Sequence, residues 1–422
     1  MKVTATAQTG HKRPEGPTLR RSLKLWHAVL YGLGVTVGAG IYVLIADTAG
    51  RAGMHAPLSF VFTALLIGLT GASLAELGSR YPVASGEAEF VRRGFASEWM
   101  ATAVGFLVIA MGIIAAATIS VGSAGYIGAF VTLPDRVLIA AVMIAMGLIA
   151  ARGIKDSVTF AGLMTLIEIG GLLVIVGAGV IGEPKVISRL PEIIPQTLDP
   201  AVWAGIMTAS MLAVFAFVGF EGIVNIAEEL EEPERNLPRA LFLTLAITTV
   251  LYVLVMWVAL VALGPGPLAA AKAPLAAVFE RLTGFSPRVM SAVAVVATLN
   301  GIVVSLIMAS RVMFGLSRRG ALPSQLSKLS VATGAPALAT AVATGIALVL
   351  AVAFPIAHLA DLTARLALAI FALVNLALIR LKQNEAMVPS GVFVCPRWVP
   401  AAGFISCLVY IVADFANTIA RG

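Results

Sequence analysis

Val37-Gly38-Ala39-Gly40-Ile41 and Phe215-Ala216-Phe217-Val218-Gly219-Phe220-Glu221 are two glycine-broken stretches, each set inside an otherwise apolar segment. A helix interrupted in lipid leaves backbone N–H and C=O groups that only a cavity, a ligand or another helix can satisfy. The two breaks occupy matching places in the two halves of the chain. One glycine pair, such as Gly34-xxx-Gly38, would do no more than let two helices pack closely. Two breaks at matched positions point instead to a binding site at mid-membrane.

Composition fixes the setting of these breaks. Hydrophobic residues make up 59% of the 422 residues, charged residues 12%, and the mean hydropathy is +0.97. A soluble globular chain is far more polar. No polar stretch between the apolar runs is long enough to fold alone, so one membrane bundle is expected. Residues 1–24 are polar and basic, with Lys2, Lys12, Arg13, Arg20, Arg21 and Lys24, and a long apolar run begins only at Leu25. The pattern lacks the short apolar core and small-residue cleavage site of a removed signal, so it reads as a cytosolic N-terminal tail. Cys395 and Cys407 lie at the edge of and within the last apolar run, a placement that suits neither a disulfide nor a metal site.

Runs near bilayer-spanning length number eleven, near 25–46, 56–77, 99–131, 136–151, 157–180, 203–223, 240–263, 288–316, 336–354, 359–379 and 399–417. The third has no charge from Trp99 to Val131 and would be roughly 50 Å long as a continuous helix, so it must tilt or protrude. With the N-terminus inside, nineteen of the Lys and Arg residues fall in cytosolic segments. Eight fall outside: Arg51, Arg136, Lys185, Arg189, Lys272, Arg281, Arg288 and Arg421. Arg311 and Arg365 lie within spans. That bias supports the orientation and a multi-pass inner-membrane location. It also argues against nucleic acid, because the basic residues do not line one face.

Each broken segment begins a group of five spans. Five is odd, so the second group enters the membrane from the opposite side, the arrangement of inverted-repeat carriers. The expected fold is therefore an all-α integral membrane protein of about eleven transmembrane helices with a 5+5 inverted repeat. The repeats are 25–182 (helices 1–5) and 200–382 (helices 6–10), followed by an additional helix at 396–418, with helices 1 and 6 unwound mid-membrane.

At the breaks a family resemblance becomes specific. Gly38-Ala39-Gly40-Ile41 resembles the Gly-x-Gly-Ile signature of the amino acid–polyamine–organocation transporters. The stretches Ala75-Glu76-Leu77 to Pro82 and Gly86 to Phe95 are similar to the family's loop after its second helix. Phe215 to Glu221, followed by Glu228-Glu229, Pro233 and Arg235-Asn236-Leu237-Pro238-Arg239, resembles its sixth helix and the next loop. Arg311 and Leu316 to Pro323 resemble the end of the eighth.

The resemblance implies a LeuT-like fold carrying an amino acid, and the residues supply a physical reason. A zwitterion brings a carboxylate and an ammonium into low dielectric, where leaving either unpaired is costly. Backbone N–H groups at Gly38, Ala39 and Gly40 start the second half of helix 1 and suit a carboxylate. Carbonyls released near Thr36 and at Phe215, Ala216 and Val218 suit an ammonium. The expected substrate-binding set is Thr36, Val37, Gly38, Ala39, Gly40 and Ile41 with Phe215, Ala216, Phe217, Val218, Gly219 and Phe220. Phe215 either acts as a gate over the ligand or simply packs.

Ionisable groups inside spans are expensive and mark function. Glu168 lies mid-span in Leu163 to Gly171, where several members of the family place a lysine; here an acid suits a proton carrier. The competing accounts are a fixed sodium ligand or a hydrogen bond to the unwound part of helix 1. Glu221 either couples transport or holds the unwound backbone. Thr298 and Asn300 are placed to face Glu168, or to act as glue between helices. Glu168, Glu221 and Thr298 form the expected coupling set, with H+, or alternatively Na+, as the coupling ion. Arg365 is expected to reach Asp361 one turn away, and Asp47, Asp414 and Glu76 to be solvated or to pack helix ends.

Gly177 to Gly182 matches a dinucleotide pattern but ends a membrane helix instead of following a strand. With no nucleotide, catalytic or metal motif, no cofactor or metal site is expected, and the chain is not expected to be an enzyme. The reading that results is a secondary amino acid permease working by alternating access, as proton symporter or exchanger, with an amino acid, a coupling ion and membrane lipid as partners. The alternative is a non-transporting receptor or channel for a small amine or amino acid. The identity of the amino acid and the oligomeric state are not encoded in these patterns.

Overall fold

The computed structural model describes residues 21–38, 40–82, 86–152, 158–330, 334–384 and 391–421. Among these, regular structure is helical, and pairing of the strand type is limited to one isolated bridge between Leu23 and Leu230. The first half comprises α1 (Leu25–Val37), α2 (Gly40–Ala52), α3 (Ala56–Arg80), α4 (Gly86–Phe95), α5 (Glu98–Ile127), α6 (Asp135–Arg152), α7 (Val158–Gly182) and the short α8 (Lys185–Ser188). The second comprises α9 (Pro200–Phe217), α10 (Pro233–Leu263), α11 (Pro265–Ala270), α12 (Pro274–Thr283), α13 (Arg288–Arg318), α14 (Ala337–Ala353) and α15 (Ile356–Asn384), with α16 (Trp398–Arg421) last.

Each apolar run of the sequence is helical, and the two glycine-broken runs are the ones that split. The first divides into α1 and α2 around Gly38; the second leaves α9 at Phe217, passes Val218 and Gly219, and continues as a 3-10 turn over Phe220–Ile226. Eight helical stretches among the described residues are long and apolar enough to cross a bilayer, with Leu25–Val37 and Ala337–Ala353 as shorter apolar helices. The chain is an integral membrane protein. Helix α5 is 30 residues, about 45 Å at 1.5 Å per residue, and exceeds the hydrocarbon core as expected from its sequence.

Local chemistry sets the helix starts. Asp199 caps α9, its Oδ1 accepting from Ala201 N–H at 2.9 Å, and proline occupies the first turn of α3, α9, α10 and α12, where its missing N–H has no cost. Helices α5 and α13 pack along much of their length because Gly105 and Gly112 let Leu316, Met308 and Ala309 approach closely.

The bundle has two ends. At one, called here the Arg80 end, lie the start of α1, the end of α3, α4, and the ends of α13 and α15. At the other, the Arg51 end, lie the end of α2, α11, α12 and the starts of α13 and α15.

Several charged residues sit differently from expectation. Glu76, expected to be solvated or to pack a helix end, is fully buried one turn before the end of α3. Its carboxylate pairs with Arg80, with Lys382 Nζ at 2.7 Å and with Cys395 N–H at 2.8 Å, and Lys382 also donates to Cys395 O at 2.6 Å. This cluster ties α3, α15 and the segment before α16 together at the Arg80 end. Asp414 is likewise buried and accepts from Arg365 Nε at 2.6 Å. Arg365 therefore does not pair with Asp361, which is taken by Arg51 in a two-pronged contact of 3.1 and 2.9 Å, while Arg51 also donates to Thr208 O at 3.1 Å. In both pairs the partner lies on a facing helix, Asp361 of α15 for Arg51 of α2 and Asp414 of α16 for Arg365 of α15. Both cysteines are buried and free. Burial, and then Glu76, push the Cys395 thiol up to about 12, so it stays protonated and unreactive.

Candidate functional site

The two breaks meet. A Cβ built on Gly40, the first residue of α2, would lie 2.5 Å from Ala216 Cα in α9, so only glycine permits this crossing. Gly219 has φ of +117°, a conformation side chains rarely adopt, and a Cβ there would meet Val35 O at 2.7 Å. The start of α2 thus lies against the end of α9, and Gly219 of the second break against α1.

Tyr252 of α10 joins them. Its hydroxyl lies 2.8 Å from Thr36 O and 3.0 Å from Ala216 O, and donates between the two carbonyls. These carbonyls, expected to be released for a ligand, are therefore held by the protein. Glu221 serves the second break, its Oε2 accepting from Gly219 N–H at 2.8 Å while the side chain is buried. A second tyrosine chain fixes the first break: Tyr126 donates to Tyr42 O at 2.7 Å, and Tyr42 donates to Glu168 O at 2.7 Å, pinning α5, α2 and α7.

Glu168 is fully buried and points at the first break. Its Oε1 accepts from Asn300 Nδ2 of α13 at 3.3 Å. Its Oε2 has no hydrogen-bond partner among the described residues and lies 3.4 Å from where a Gly38 Cβ would stand. Thr298 spends its hydroxyl on Ala294 O and Val295 O of its own helix, at 2.8 and 3.1 Å.

Between the breaks lies a cavity of about 60 Å³. One ordered water needs roughly 10–15 Å³ by the same measure, so there is room for a small ligand. Of the residues expected to bind, Thr36, Gly40, Phe215, Val218 and Gly219 line it, together with Glu221 and Asn300. Val37 and Ile41 are buried in the core outside this lining, and Gly38 faces Glu168. Ala216 abuts Gly40, Phe217 packs on Phe60 and Tyr252, and Phe220 packs edge-on against Phe371. Ala39 lies outside the described residues. The apolar wall comes from Met111, Ala115 and Ile119 of α5 and Val304 and Met308 of α13, none of which the sequence singled out. Apolar residues in long apolar spans carry no mark of which face they present. Tyr252 did carry one, a hydroxyl in an uncharged span that must find a partner. Among the described residues no group of His, Cys, Asp and Glu could hold a metal ion.

A larger cleft of about 550 Å³ opens at the Arg51 end between α5, α12 and α13, rimmed by Asp135 and Lys272, whose ion pair measures 2.9 Å. It lies away from both breaks. At the Arg80 end, α4 carries Glu89, held below the usual carboxylate range by hydrogen bonds from Arg92 and Arg93, and Glu87, which burial raises.

In sequence the chain is similar to known amino acid transporters. The chain is 27% identical over 419 residues to a branched-chain amino acid permease of Bacillus subtilis, covering 93% of this chain and 88% of the other. An uncharacterized transporter of Mycobacterium tuberculosis is 29% identical over 409 residues, 96% and 88% of the two chains. A chloroplastic cationic amino acid transporter of Arabidopsis thaliana is 28% identical over 348 residues, 77% of this chain and 60% of that one. Residues 23–420, spanning both helix breaks and every helix packed around them, match the family model described as amino acid permease, and the chain belongs to that family.

Proposed function

We propose that this transporter carries a neutral aliphatic amino acid by alternating access, without chemical modification of the substrate, and that proton binding at Glu168 couples the cycle. The observation that carries the reading is the junction of the two breaks beside a buried carboxylate oxygen with no hydrogen-bond partner among the described residues. The substrate carboxylate sits on the N–H groups that begin α2, where a helix start offers unpaired donors and a favourable dipole. The ammonium takes carbonyls at the breaks, sharing those of Thr36 and Ala216 with Tyr252. The side chain lies against Met111, Ile119, Val304 and Met308.

An apolar wall favours an aliphatic side chain over a cationic one, even though one relative is named a cationic amino acid transporter. A cationic side chain would need a free carboxylate in the cavity, and the Glu221 carboxylate is engaged by Gly219 N–H. Glu168, held at Oε1 by Asn300, has its second oxygen turned to the break that must move when the cavity opens. A carboxylate whose access to water changes in this way is suited to take up a proton on one side and release it on the other. In this reading residues 25–182 and 200–382 are inverted repeats. The protein sits in the plasma (inner) membrane with lipid around the bundle and the N-terminus and Arg80 end in the cytosol.

The test is uptake of labelled leucine, alanine, lysine and glutamate into proteoliposomes, with and without a pH gradient and with sodium replaced by choline. Uphill uptake of leucine or alanine driven by the pH gradient is expected. A strict sodium requirement, or transport of lysine alone, overturns the coupling or the substrate assignment respectively.

A further inference from the structure

Arg311 is a charge inside an apolar helix that the site described above leaves unused. Other charged residues buried within the long helices are paired, Glu76 with Arg80 and Lys382, and Asp414 with Arg365. Arg311 is exposed, and among the described residues it has no hydrogen-bond or ion-pair partner. It stands seven residues before the end of α13, about 10 Å along the axis from that end.

Its register gives its place. Asn300, Val304, Met308 and Arg311 recur at the spacing of one helical stripe. The first three line the cavity between the breaks. Along this stripe α13 is half-exposed, whereas Ile302, Val303, Leu306, Ala309 and Ser310 on the other faces are buried. The accessible strip therefore runs on from the cavity toward the Arg80 end and reaches Arg311 one turn beyond Met308. On α1 the same holds: Gly34 and Val35 line the cavity, and Leu30 and Tyr31, a turn nearer the Arg80 end, are half-exposed.

Arg311 stands exposed at the end of this strip. Its planar fork matches a carboxylate in a two-pronged contact that a lysine or an amide does not reproduce. Among the charged groups at that end, Lys24 at the start of α1 and Arg318 on α13 are basic, Glu98 at the start of α5 is paired with Arg92, and the acidic run from Glu228 to Glu234 adjoins the start of α1 through the Leu23–Leu230 bridge.

We propose that Arg311 is a second carboxylate station on the transport path, receiving the α-carboxylate of the amino acid after it leaves the N-terminus of α2 and before it reaches the Arg80 side. This rests on the reading of the chain as an amino acid transporter with its substrate cavity between the breaks. The station shortens the distance over which the substrate carboxylate travels unpaired, and it sets the apparent affinity on one side of the membrane only.

The experiment uses the full-length protein in proteoliposomes of fixed orientation, with labelled leucine, and measures the exchange KM separately from the Arg51 side and the Arg80 side. Arg311→Gln is expected to raise the KM on the Arg80 side about tenfold or more, from loss of a charge-assisted pair, and to leave the other side within about twofold. Arg311→Lys should fall between wild type and Arg311→Gln on the Arg80 side. If Arg311→Gln does not assemble, Arg311→Lys decides alone through the same one-sided shift. An unchanged KM, or an equal change on both sides, overturns the station while leaving the transporter reading intact. A wild-type protein that exchanges no leucine overturns both.

Discussion

Gly40 and Ala216 approach so closely that a Cβ on the glycine would stand 2.5 Å from the alanine's Cα. The obstacle is backbone, which cannot swing aside as a flexible side chain would. Gly40→Val is therefore expected to push α9 away from α2, widening the junction on which both unwound segments depend. Overpacking of this kind costs about 1–3 kcal/mol. Leucine binding to purified protein should fall by more than tenfold while the variant still inserts in the membrane. Wild-type affinity in Gly40→Val would place the substrate elsewhere.

Tyr252→Phe removes the hydroxyl that lies between Thr36 O and Ala216 O and leaves the ring in its edge-on and tilted contacts with Phe60 and Phe217. Leaving a buried carbonyl unsatisfied costs about 1–3 kcal/mol. A lower unfolding temperature in detergent and slower leucine uptake are expected together. A variant with unchanged stability would mean that water takes over both carbonyls without loss.

Glu168→Gln keeps the shape of the side chain and its contact with Asn300 but cannot take up and release a proton. Exchange of leucine across the membrane should persist, and accumulation driven by a pH gradient should be lost. Retained uphill uptake in this variant would remove Glu168 from the coupling mechanism.

Lys382→Met takes one of three partners from the fully buried Glu76 carboxylate and one donor from Cys395 O. Breaking a buried pair by removing one member costs about 3 kcal/mol or more, because the remaining charge is left under-compensated. Thermal unfolding should show this loss, and Lys382→Arg should recover much of it. Equal stability of Lys382→Met and wild type would show the cluster to be energetically neutral.

The pairing of Glu89 with Arg92 and Arg93, one turn on along the same helix, makes the stability of α4 acid-sensitive. Its folded-state pKa lies below its ordinary value, so its contribution is present above that ordinary value and is lost as the pH falls through the folded-state pKa. Hydrogen exchange of the α4 amides should accelerate on acidification below the usual carboxylate range, and Glu89→Gln should flatten that dependence. The same acid dependence in Glu89→Gln would assign it to another group.

By itself the sequence determined the membrane class, the position of every apolar helix and the two places where a helix gives way. These are local properties: apolar length, and glycine where a side chain would forbid the backbone. The family was legible for the same reason, because its signatures lie in those short stretches. Only the tertiary structure decided which groups meet. Glu168 finds Asn300 from 132 residues away, Arg51 finds Asp361 from 310, and Cys395 N–H finds Glu76 from 319. Tyr252 holds the Thr36 carbonyl from 216 residues away. The sequence reading assigned Arg365 to Asp361 because they are one turn apart, and it left Glu76 and Asp414 either solvated or packing helix ends because they lie near span ends. Inside the bundle a buried charge or carbonyl is satisfied by whichever facing helix presents a partner at hydrogen-bond distance. That choice depends on the rotation and crossing of helices far apart in the chain, which the one-dimensional pattern does not contain.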